Sequence, residues 1–519
     1  MLSRRIARWP SHLLTRQLRP LQRAPPIPTQ QLQLQLRSCS SCEATPAGQA
    51  TPPSGKPTES GPPPPPETSS PETKTPPDHR TIGLHQKLFT TSPYSPGSAF
   101  FLPAGTRIFN RLVTFLRNQY VRYGFEEVIT PLIYKKDLWA KSGHLENYAQ
   151  DMYTVTGARH TSPFTTPMTE EEDESDREYG LKPMNCPGHC LIFSSQKRSY
   201  RDLPIRYADF SPLHRNENTG SLTGLTRVRR FHQDDGHIFC RPIQIEDEIR
   251  KSLDFVKHTY STLGLGPYRL TLSTRPDQYM GSLEDWSQAE TALRRALDAS
   301  GTLWTVNPGD GAFYGPKIDI VLQDSHGKEH QTATIQLDFQ LPKRFELEYI
   351  APAPELEQKG ETTTDPELLA NYGPVRPVMI HRAVLGSVER LMALLIEHYD
   401  GKYPLWLSPN QIRIITVNSS EPVVTWAEEV REKLLGISPG DVTPTHFSVD
   451  VDSSTRTLPA KAADAVGAGA CVVVTIGQKE AVGRNVSVDM SAVTGKQERK
   501  VMRPEDLRAW MEENVAAHR

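Results

Sequence analysis

Cysteine is scarce in this sequence, and long apolar runs are absent from it. Six cysteines in 519 residues, without a regular spacing, do not form the disulfide framework of a small secreted domain. No apolar run approaches the ~18 residues of a membrane span. These absences exclude a disulfide-stapled scaffold, argue against a membrane-spanning protein and favour a reducing compartment.

A basic excess, the usual footprint of a nucleic-acid-binding protein, is also missing. The chain has 59 basic and 61 acidic residues, a formal net charge of −2. Seven arginines fall within residues 1–42, which contain no acidic residue, so the remainder has 52 basic against 61 acidic residues, a charge of −9. Composition alone therefore does not predict that the protein binds a nucleic acid.

The N-terminal segment 1–42 has the composition of a mitochondrial transit peptide. Its arginines are interspersed with Leu13, Leu14, Leu18 and Leu21, so the segment can form a basic amphipathic helix. The continuous apolar core of a secretory signal is absent. The alternative is a disordered basic tail without a targeting role.

A proline-rich segment, residues 43–77, follows this start. It includes five consecutive prolines, Pro62 to Pro66, and is predicted to be an extended tether without packed structure. The remaining length allows two domains, each large enough to bury a core. We place them at 78–408 and 409–519, because strand-like and helix-like segments alternate in the second as in an α/β domain with a mainly parallel sheet.

Two conspicuous stretches are interpreted as structural. The polar insert 157–179 has seven acidic residues among the nine from Glu170 to Glu178, and such a run is typical of a solvated loop. The glycines of 467–470 follow a helix-like segment and precede a strand-like one, the reverse of a dinucleotide-binding turn. They are predicted to cap the helix.

The segment 181–240 contains a predicted β-hairpin with a long polar loop. One strand-like run spans 205–210, and a second, 226–231, follows a loop rich in Asn, Thr, Gly and Ser. Four charged residues flank the loop: Arg215, Glu217, Arg227 and Arg229. Guanidinium groups in this arrangement suit a polyphosphate, because each offers a planar fork of donors to anionic oxygens. The alternative is a solvated hairpin with surface charges.

This loop and its neighbours contain an ordered series of short motifs. In the loop they are HRNE at 214–217, GS at 220–221, GL at 224–225, RVR at 227–229 and Phe231. These residues resemble motif 2 of the class II aminoacyl-tRNA synthetases. The runs MNCPGH at 184–189 and QDDGHIF at 233–239 narrow the resemblance to the threonyl-tRNA synthetases.

The resemblance extends from about residue 78 to the C-terminus and implies a fold. An α+β catalytic domain, an antiparallel sheet with flanking helices, would precede an α/β anticodon-binding domain. The helix-like 105–123 and strand-like 125–131 resemble motif 1, which implies a homodimer through the 104–131 unit; an ordinary buried helix is the alternative. The segment 381–390 resembles motif 3, a strand running into a helix.

The resemblance implies that five residues bind ATP. Arg215 would contact the α-phosphate and the amino acid carboxylate, and Arg227 and Arg390 would hold the outer phosphates. Glu217 would accept a hydrogen bond from the adenine amino group, and Phe231 would stack on the ring. Arg215 and Arg390 are thereby implied as catalytic, because phosphoryl chemistry depends on positioning and on charge neutralisation. Mg²⁺ is implied as the counterion of ATP.

The resemblance also implies one zinc ion per subunit. Cys186, His237 and His381 match the three ligands of the family, and three ligands leave a position for substrate, here the amino group and hydroxyl of threonine. Such a site distinguishes threonine from valine, which has the same shape but no hydroxyl. Four residues would line the amino acid site: Gln233, Asp235, Tyr314 and Gln336. Among them, Asp235 would bond the hydroxyl.

Spacing along the chain favours a different metal set. Cys186 with His189 or Cys190 would be preferred, because these residues are three and four positions apart. We interpret His189 as a packing residue, and the triad rests on the resemblance.

The chain departs from the family pattern in two places. No room for the family's N-terminal editing domain precedes residue 78, so serine, which lacks a methyl group worth only ~1–3 kcal/mol, would be cleared elsewhere or tolerated. Asp489 stands where the family commonly has arginine, although the nearby run QKE at 478–480 matches an anticodon-reading segment. An aspartate cannot donate to a guanine edge.

The sequence therefore predicts an enzyme of the mitochondrial matrix that attaches threonine to tRNA(Thr) through a threonyl-adenylate. Its partners would be ATP, threonine and tRNA(Thr). An inactive synthetase-like binding protein and an enzyme for serine or proline are the alternatives. Competent residues at every matched position argue against the first, and the Cys-His-His set with Asp235 argues against the second.

Overall fold

A computed structural model describes residues 76–157, 177–496 and 499–519. The predicted transit peptide 1–42, nearly all of the predicted tether 43–77 and most of the acidic insert 157–179 lie outside these residues, so the three interpretations remain predictions. Among the described helices, none combines the length and the apolar character that a membrane crossing needs.

The described chain contains twenty-one strands. They are β1 Phe89–Thr90, β2 Phe100–Phe101, β3 Glu126–Glu127, β4 Ile133–Lys135, β5 Thr154–Thr156, β6 Glu178–Leu181, β7 Ile205–Asp209, β8 Pro212–His214, β9 Arg230–Cys240, β10 Arg269–Ser273, β11 Trp304–Asn307, β12 Lys317–Gln323, β13 Glu329–Asp338, β14 Tyr349–Pro352, β15 Tyr372–Val375, β16 Val378–Ser387, β17 Ile412–Thr416, β18 Val449–Asp452, β19 Val472–Ile476, β20 Val486–Asp489 and β21 Arg499–Met502.

The α-helices of the described chain alternate with these strands. They are His79–His85, Pro103–Arg122, Lys136–Lys141, His144–Tyr148, Cys186–Ser194, Ile245–Thr262, Leu283–Ala299, Gln340–Arg344, Pro354–Lys359, Pro366–Ala370, Val388–His398, Glu421–Leu435, Leu458–Gly467, Gln478–Gly483, Ser491–Thr494 and Pro504–Ala516. Short 3₁₀ turns occur at Ala149–Asp151, Thr219–Ser221 and Pro242–Gln244.

A nine-stranded sheet forms the centre of the N-terminal domain. Its order is β11-β10-β12-β13-β16-β9-β7-β3, and β8 pairs with β9. Pairings from β10 across to β7 are antiparallel, and only the outermost pairs, β10–β11 and β7–β3, are parallel. The predicted antiparallel sheet with flanking helices is confirmed.

The helix Pro103–Arg122 packs on one face of this sheet. Proline at its first position needs no hydrogen-bond partner, and its buried residues recur at helical spacing, as in Ile108, Leu112 and Tyr120. The Tyr120 hydroxyl donates to the backbone oxygen of Asp234 at 2.7 Å, which ties the helix to β9. The predicted helix 105–123 is therefore present.

Two predicted strands are shorter than the sequence indicates. The run 125–131 contributes only β3, because its pairing with β7 covers two residues. The second arm of the hairpin begins at Arg230 rather than at Thr226. Residues 226–229 stay in the loop because the backbone N–H groups of Thr226 and Arg227 both donate to the Thr223 carbonyl, which closes a tight turn.

The C-terminal domain contains a five-stranded sheet of order β18-β17-β19-β20-β21. The pairs β17–β18 and β17–β19 are parallel, whereas β19–β20 and β20–β21 are antiparallel. The prediction of a mainly parallel sheet is wrong for its second half, where short connections join antiparallel neighbours. The predicted helix cap is confirmed: Gly469 has φ +72°, and the Ala470 N–H donates to the Ala465 carbonyl.

A half-buried arginine links the long helix Pro103–Arg122 to the C-terminal sheet region. Arg111 of the long helix donates to the carbonyls of Ser408 and His446 and, at 2.7 Å, to Gln411 Oε1. Burial lowers the pKa of Arg111 to about 10. Ser408 and Gln411 lie in the connection that precedes β17, and His446 lies shortly before β18. Arg111 therefore links the helix Pro103–Arg122 to the connection and to the C-terminal sheet region.

Candidate active site

Three neighbouring strands place five of the predicted site residues on one face of the central sheet. On β9, Gln233, Asp235 and His237 are two positions apart and therefore share a face. The register pairs His237 with His381 of β16, and His381 with Gln336 of β13. Sheet register thus brings together residues that are far apart in the chain.

The predicted metal ligands converge at one buried corner of this face, here called the metal corner (Cys186, His237 and His381). Cys186 begins the helix Cys186–Ser194, and the ligand atoms of the three residues lie within 4.8 Å of one another. His237 Nε2 is 3.0 Å from His381 Nδ1. Two nitrogens on a tetrahedral zinc ion are ~3.3 Å apart, so the donor set and its spacing fit Zn²⁺ with one open position.

Further hydrogen bonds decide which nitrogen of each imidazole points to the corner. His237 Nδ1 lies 2.8 Å from His189 Nδ1, and His381 Nε2 lies 2.8 Å from Asp338 Oδ2. The remaining nitrogens, His237 Nε2 and His381 Nδ1, therefore face each other, as metal ligands require. His189, interpreted from the sequence as a packing residue, lies against a ligand and outside the triad.

A charged pair lies behind His189. His189 Nε2 is 3.9 Å from Asp209 Oδ2, and Lys182 Nζ is 3.6 Å from the same oxygen, with both charged side chains buried. Burial, the largest influence, would raise the pKa of the Asp209 carboxyl. Nearby His189 and Lys182, with hydrogen bonds from Ser211 and Thr130, together hold that pKa below its ordinary value. The metal corner thus rests on a buried polar network centred on the Asp209 carboxylate.

A cavity of about 90 Å³, here called the amino acid cavity, opens onto the metal corner. All the predicted threonine and metal residues line it: Cys186, Gln233, Asp235, His237, Tyr314, Gln336 and His381. Asn185 donates to Asp235 Oδ2 at 3.1 Å, and burial raises the pKa of that carboxyl. The Tyr314 hydroxyl donates to Gln336, and its ring stacks on His381 with centroids 4.8 Å apart.

A second cavity of about 290 Å³, here called the phosphate cavity, adjoins the first. All five predicted ATP residues line it: Arg215, Glu217, Arg227, Phe231 and Arg390. Arg215, Gln233, Thr334 and Gln336 line both cavities, which are therefore contiguous. A larger cavity of about 750 Å³ beside Tyr268 and Glu397 contains none of the predicted site residues.

Arg215 occupies the junction of the two cavities. Its guanidinium carbon lies 5.8 Å from the Tyr148 ring centroid and 5.0 Å from that of Phe231, and its Nε donates to the Pro183 carbonyl at 3.3 Å. Within the described ranges, no acidic side chain forms an ion pair with Arg215. Its remaining donors are therefore available to an anion.

The other two arginines of the phosphate cavity have protein partners. Arg227 Nε donates to Glu217 Oε2 at 2.9 Å. Arg390 donates to the Thr226 carbonyl at 3.0 Å and to the Gln331 carbonyl at 2.9 Å. Burial, followed by the charges of Arg215 and Arg227, lowers the pKa of Arg390. Four cationic side chains (Arg215, Arg227, Lys317 and Arg390) line this cavity with a single carboxylate, that of Glu217, and this balance favours a polyanionic ligand.

Sequence analysis missed several residues that complete the site. His144 is fully buried, and its Nε2 lies 3.8 Å from Cys186 Sγ. Burial lowers the pKa of His144 to about 3. Asp338 and Asn185, which contact His381 and Asp235, were also missed. Asp338 stands two positions after Gln336 on β13, so strand alternation could have found it; the other two have no such signal.

The central sheet, the arginine-flanked hairpin and the unit of β16 with the helix Val388–His398, which includes Arg390, define the catalytic core of a class II aminoacyl-tRNA synthetase. Residues 167–359 match the family model of the tRNA synthetase class II core domain (G, H, P, S and T).

Comparison with individual relatives shows which kind of class II aminoacyl-tRNA synthetase the chain is similar to. The chain is 47% identical over 447 residues to the probable mitochondrial threonine–tRNA ligase of Schizosaccharomyces pombe, covering 85% of this chain and 90% of that one. It is 51% identical over 357 residues to the cytoplasmic threonine–tRNA ligase of Caenorhabditis elegans, covering 69% of this chain and 44% of the relative. The RNA-binding domain of threonyl-tRNA synthetase from Cryptosporidium parvum superposes with a TM-score of 0.71 at 44% identity, covering 84% of this chain and 98% of that one. The chain belongs to the threonyl-tRNA synthetase family, which confirms the resemblance of its motifs.

Proposed function

We propose that the two contiguous cavities perform both steps of threonyl-tRNA synthesis. In the first step, a carboxylate oxygen of threonine attacks the α-phosphorus of ATP, and pyrophosphate leaves with the electron pair of the broken bond. In the second, a ribose hydroxyl of tRNA attacks the carbonyl carbon of threonyl-adenylate, AMP leaves with the electron pair of the broken carbon–oxygen bond, and the hydroxyl proton is released. The proposal rests on Arg215, which lines the amino acid cavity and the phosphate cavity at once.

Arg215 is suited to bring two anions together. Its guanidinium has free donors at the junction, so it can contact the threonine carboxylate and the α-phosphate at the same time. Neutralising both charges lowers their repulsion, and the fixed geometry replaces a random encounter. Arg390, held by two backbone carbonyls, would place its remaining donors on the outer phosphates.

ATP binding would break the Arg227–Glu217 ion pair, and each of the two side chains would then contact ATP. Glu217 is bonded to Arg227, whose side chain is 56% exposed. The adenine amino group would donate to Glu217 in place of Arg227, and the released arginine would turn to the outer phosphates. Phe231 would stack on the adenine ring. Mg²⁺ would accompany ATP as its counterion.

The metal corner would select the amino acid. Cys186, His237 and His381 would hold Zn²⁺, which when bound supplies a Lewis-acid position for the amino and hydroxyl groups of threonine. Asp235 would accept a hydrogen bond from the hydroxyl, with Asn185 holding its other oxygen. Valine would leave these polar groups unpaired and is rejected strongly, whereas serine keeps the hydroxyl and loses only ~1–3 kcal/mol of methyl contact.

We extend the proposal to a homodimer through the 104–131 unit. Apolar side chains are exposed at and just beyond its end: Ile129 is 88% exposed, Leu132 40% and Ile133 45%. Apolar side chains clustered in this way suit a subunit interface. Analytical ultracentrifugation of Ile129→Glu against the unsubstituted chain tests this: the variant should sediment as a monomer, and an unsubstituted chain that is itself monomeric would refute it.

We also propose that the enzyme works in the mitochondrial matrix. The acid-free arginine-rich segment 1–42 supports this, as does similarity to a relative named mitochondrial. Residues 1–42 fused to a fluorescent reporter should direct it to mitochondria, and a reporter that stays in the cytosol would refute the targeting role.

ATP–pyrophosphate exchange with threonine, valine and serine, followed by charging of tRNA(Thr), tests the activity itself. We expect exchange with threonine, weaker exchange with serine and very little with valine. A chain that binds tRNA but shows no exchange with any of the three would instead be an inactive relative.

A further inference from the structure

His79 joins three segments of the catalytic domain. It begins the helix His79–His85 and is 4% exposed. Its Nδ1 lies 2.6 Å from Glu397 Oε1 on the motif 3 helix Val388–His398, and its backbone N–H donates to the same oxygen at 3.2 Å. The backbone N–H of Leu225, in the motif 2 loop, donates to His79 Nε2 at 3.2 Å. One imidazole therefore connects the N-terminal helix to both arginine-bearing motifs.

These contacts require one particular tautomer of His79. Because the Leu225 N–H donates to Nε2, that nitrogen is unprotonated, and the ring proton is on Nδ1, where Glu397 accepts it. Glu397 is 6% exposed and also accepts from the Ser325 hydroxyl at 3.3 Å. The buried carboxylate thus fixes the tautomer that the loop needs.

The loop is held at two adjacent residues, Leu225 and Thr226. Leu225 is fully buried and bound to His79, while the carbonyl of the next residue, Thr226, accepts from Arg390. Gly224 has φ +46°, and a Cβ at this position would lie 2.1 Å from His79 Nε2, so only glycine permits this approach. Arg227, which lines the phosphate cavity, follows directly.

We propose that His79 is a positioning residue, which holds the motif 2 loop in its ATP-binding conformation through the Leu225 N–H. The inference rests on the proposed role of the phosphate cavity as the ATP site. His79 does not line that cavity, so its effect on ATP must pass through the loop.

Two substitutions separate the contacts of the imidazole. In His79→Asn, the side-chain NH₂ lies near the former Nδ1 and keeps the bond to Glu397, but nothing reaches Leu225. In His79→Gln, the longer amide places its oxygen near the former Nε2 and restores the acceptor for Leu225. His85→Ala, an exposed histidine on the same helix, is the matched control.

The measurement is ATP–pyrophosphate exchange as a function of ATP concentration and of threonine concentration. We expect His79→Asn to raise the KM for ATP by about 10-fold, the effect of one lost hydrogen bond in a buried position, with the KM for threonine unchanged. His79→Gln and His85→Ala should keep the KM for ATP of the unsubstituted enzyme. An unchanged KM in His79→Asn, or equal rises in the Asn and Gln variants, would overturn the inference.

A substitution on the loop side guards against a general folding defect. Gly224→Ala places a methyl group against His79 Nε2 without changing the helix, and it should raise the KM for ATP by a similar factor with the KM for threonine unchanged. Equal rises in the KM values for ATP and for threonine in His79→Asn and Gly224→Ala would mean that His79 is merely structural. Absence of exchange in the unsubstituted enzyme would refute the proposed function itself, a result distinct from either of these.

Discussion

Two residues of the metal corner lie on paired strands and the third begins a helix, whereas the phosphate cavity is bordered by a long loop. At the metal corner, His237 and His381 are 1% and 5% exposed, and a second hydrogen bond fixes each ring. At the phosphate cavity, the Arg227 side chain is 56% exposed and forms an ion pair with Glu217, the residue to which the adenine amino group would donate. If the proposed function holds, the side chains of the metal corner, one half of the site, are in position before substrate binds, whereas in the other half Arg227 leaves Glu217 when ATP binds.

This difference matches the tasks of the two halves. A small amino acid offers few contacts, so its selection depends on polar groups that are already desolvated and aligned. ATP is large and highly charged, and a loop can adapt to it while single hydrogen bonds keep its arginines near the cavity. We therefore expect substitutions in the first half to affect stability and metal, and those in the second to affect ATP.

Removing the carboxylate behind the metal corner should have the largest effect on stability. Asp209→Ala leaves the buried Lys182 ammonium without its partner, which costs about 3–5 kcal/mol of the free energy of unfolding. Arg227→Ala, which breaks an exposed pair in the loop, should cost less than about 1 kcal/mol. Denaturant unfolding of both variants with a chelator present measures the difference. Equal losses of unfolding free energy in the two variants would contradict the expected difference between the metal corner and the phosphate cavity.

Removing the residue shared by the two cavities should stop adenylate formation. Arg215→Ala should lower threonine-dependent pyrophosphate exchange by about 10²–10³-fold, because it removes a preorganised charge from the reacting centre. Arg229→Ala is the control from the same loop: its Nε donates to the Glu217 carbonyl at 2.9 Å, and its loss should matter much less. If both variants lose the same activity, Arg215 has no special position.

Loosening one ligand of the metal corner should weaken metal binding without affecting ATP. His189→Phe keeps much of the ring volume but removes the bond to His237 Nδ1, and such outer contacts are worth about 10–100-fold in metal affinity. Competition with a chelator measures this loss. Leu191→Ala, an exposed position on the same helix, should retain the metal. Unchanged affinity in His189→Phe would show that His237 is oriented by other contacts.

Periodicity and motifs predict much of the fold, but they predict little of how residues that are distant in the chain come together at the site. The alternation of Gln233, Asp235 and His237 on β9 follows from the sequence, and so does the buried stripe of the motif 3 helix. The meeting of Cys186 with His381 depends on β9–β16 register and on the helix that begins at Cys186, which no local pattern encodes. The resemblance supplied that triad, and the structure brings its ligand atoms together.

The errors have local physical causes. The residues of 226–231 favour a strand and so predict the second arm of the hairpin there, but a tight turn at Thr223 keeps 226–229 in the loop. The antiparallel half of the C-terminal sheet has a weak sequence signal because β20 and β21 have only four residues each and β21 shows no alternation. His79 had no sequence signal, because its partners lie 146 and 318 residues away.

Substitution of the thiolate ligand tests the independence of the two halves most directly. Cys186→Ser should release most of the zinc, because a neutral hydroxyl is a far poorer ligand than a thiolate. Metal content, ATP binding by calorimetry, threonine-dependent exchange and thermal unfolding are measured on one preparation. We expect metal and threonine activation to be lost together while ATP binding and the fold persist. A variant that keeps its zinc and full threonine activity, or one that loses ATP binding with the metal, would contradict the account.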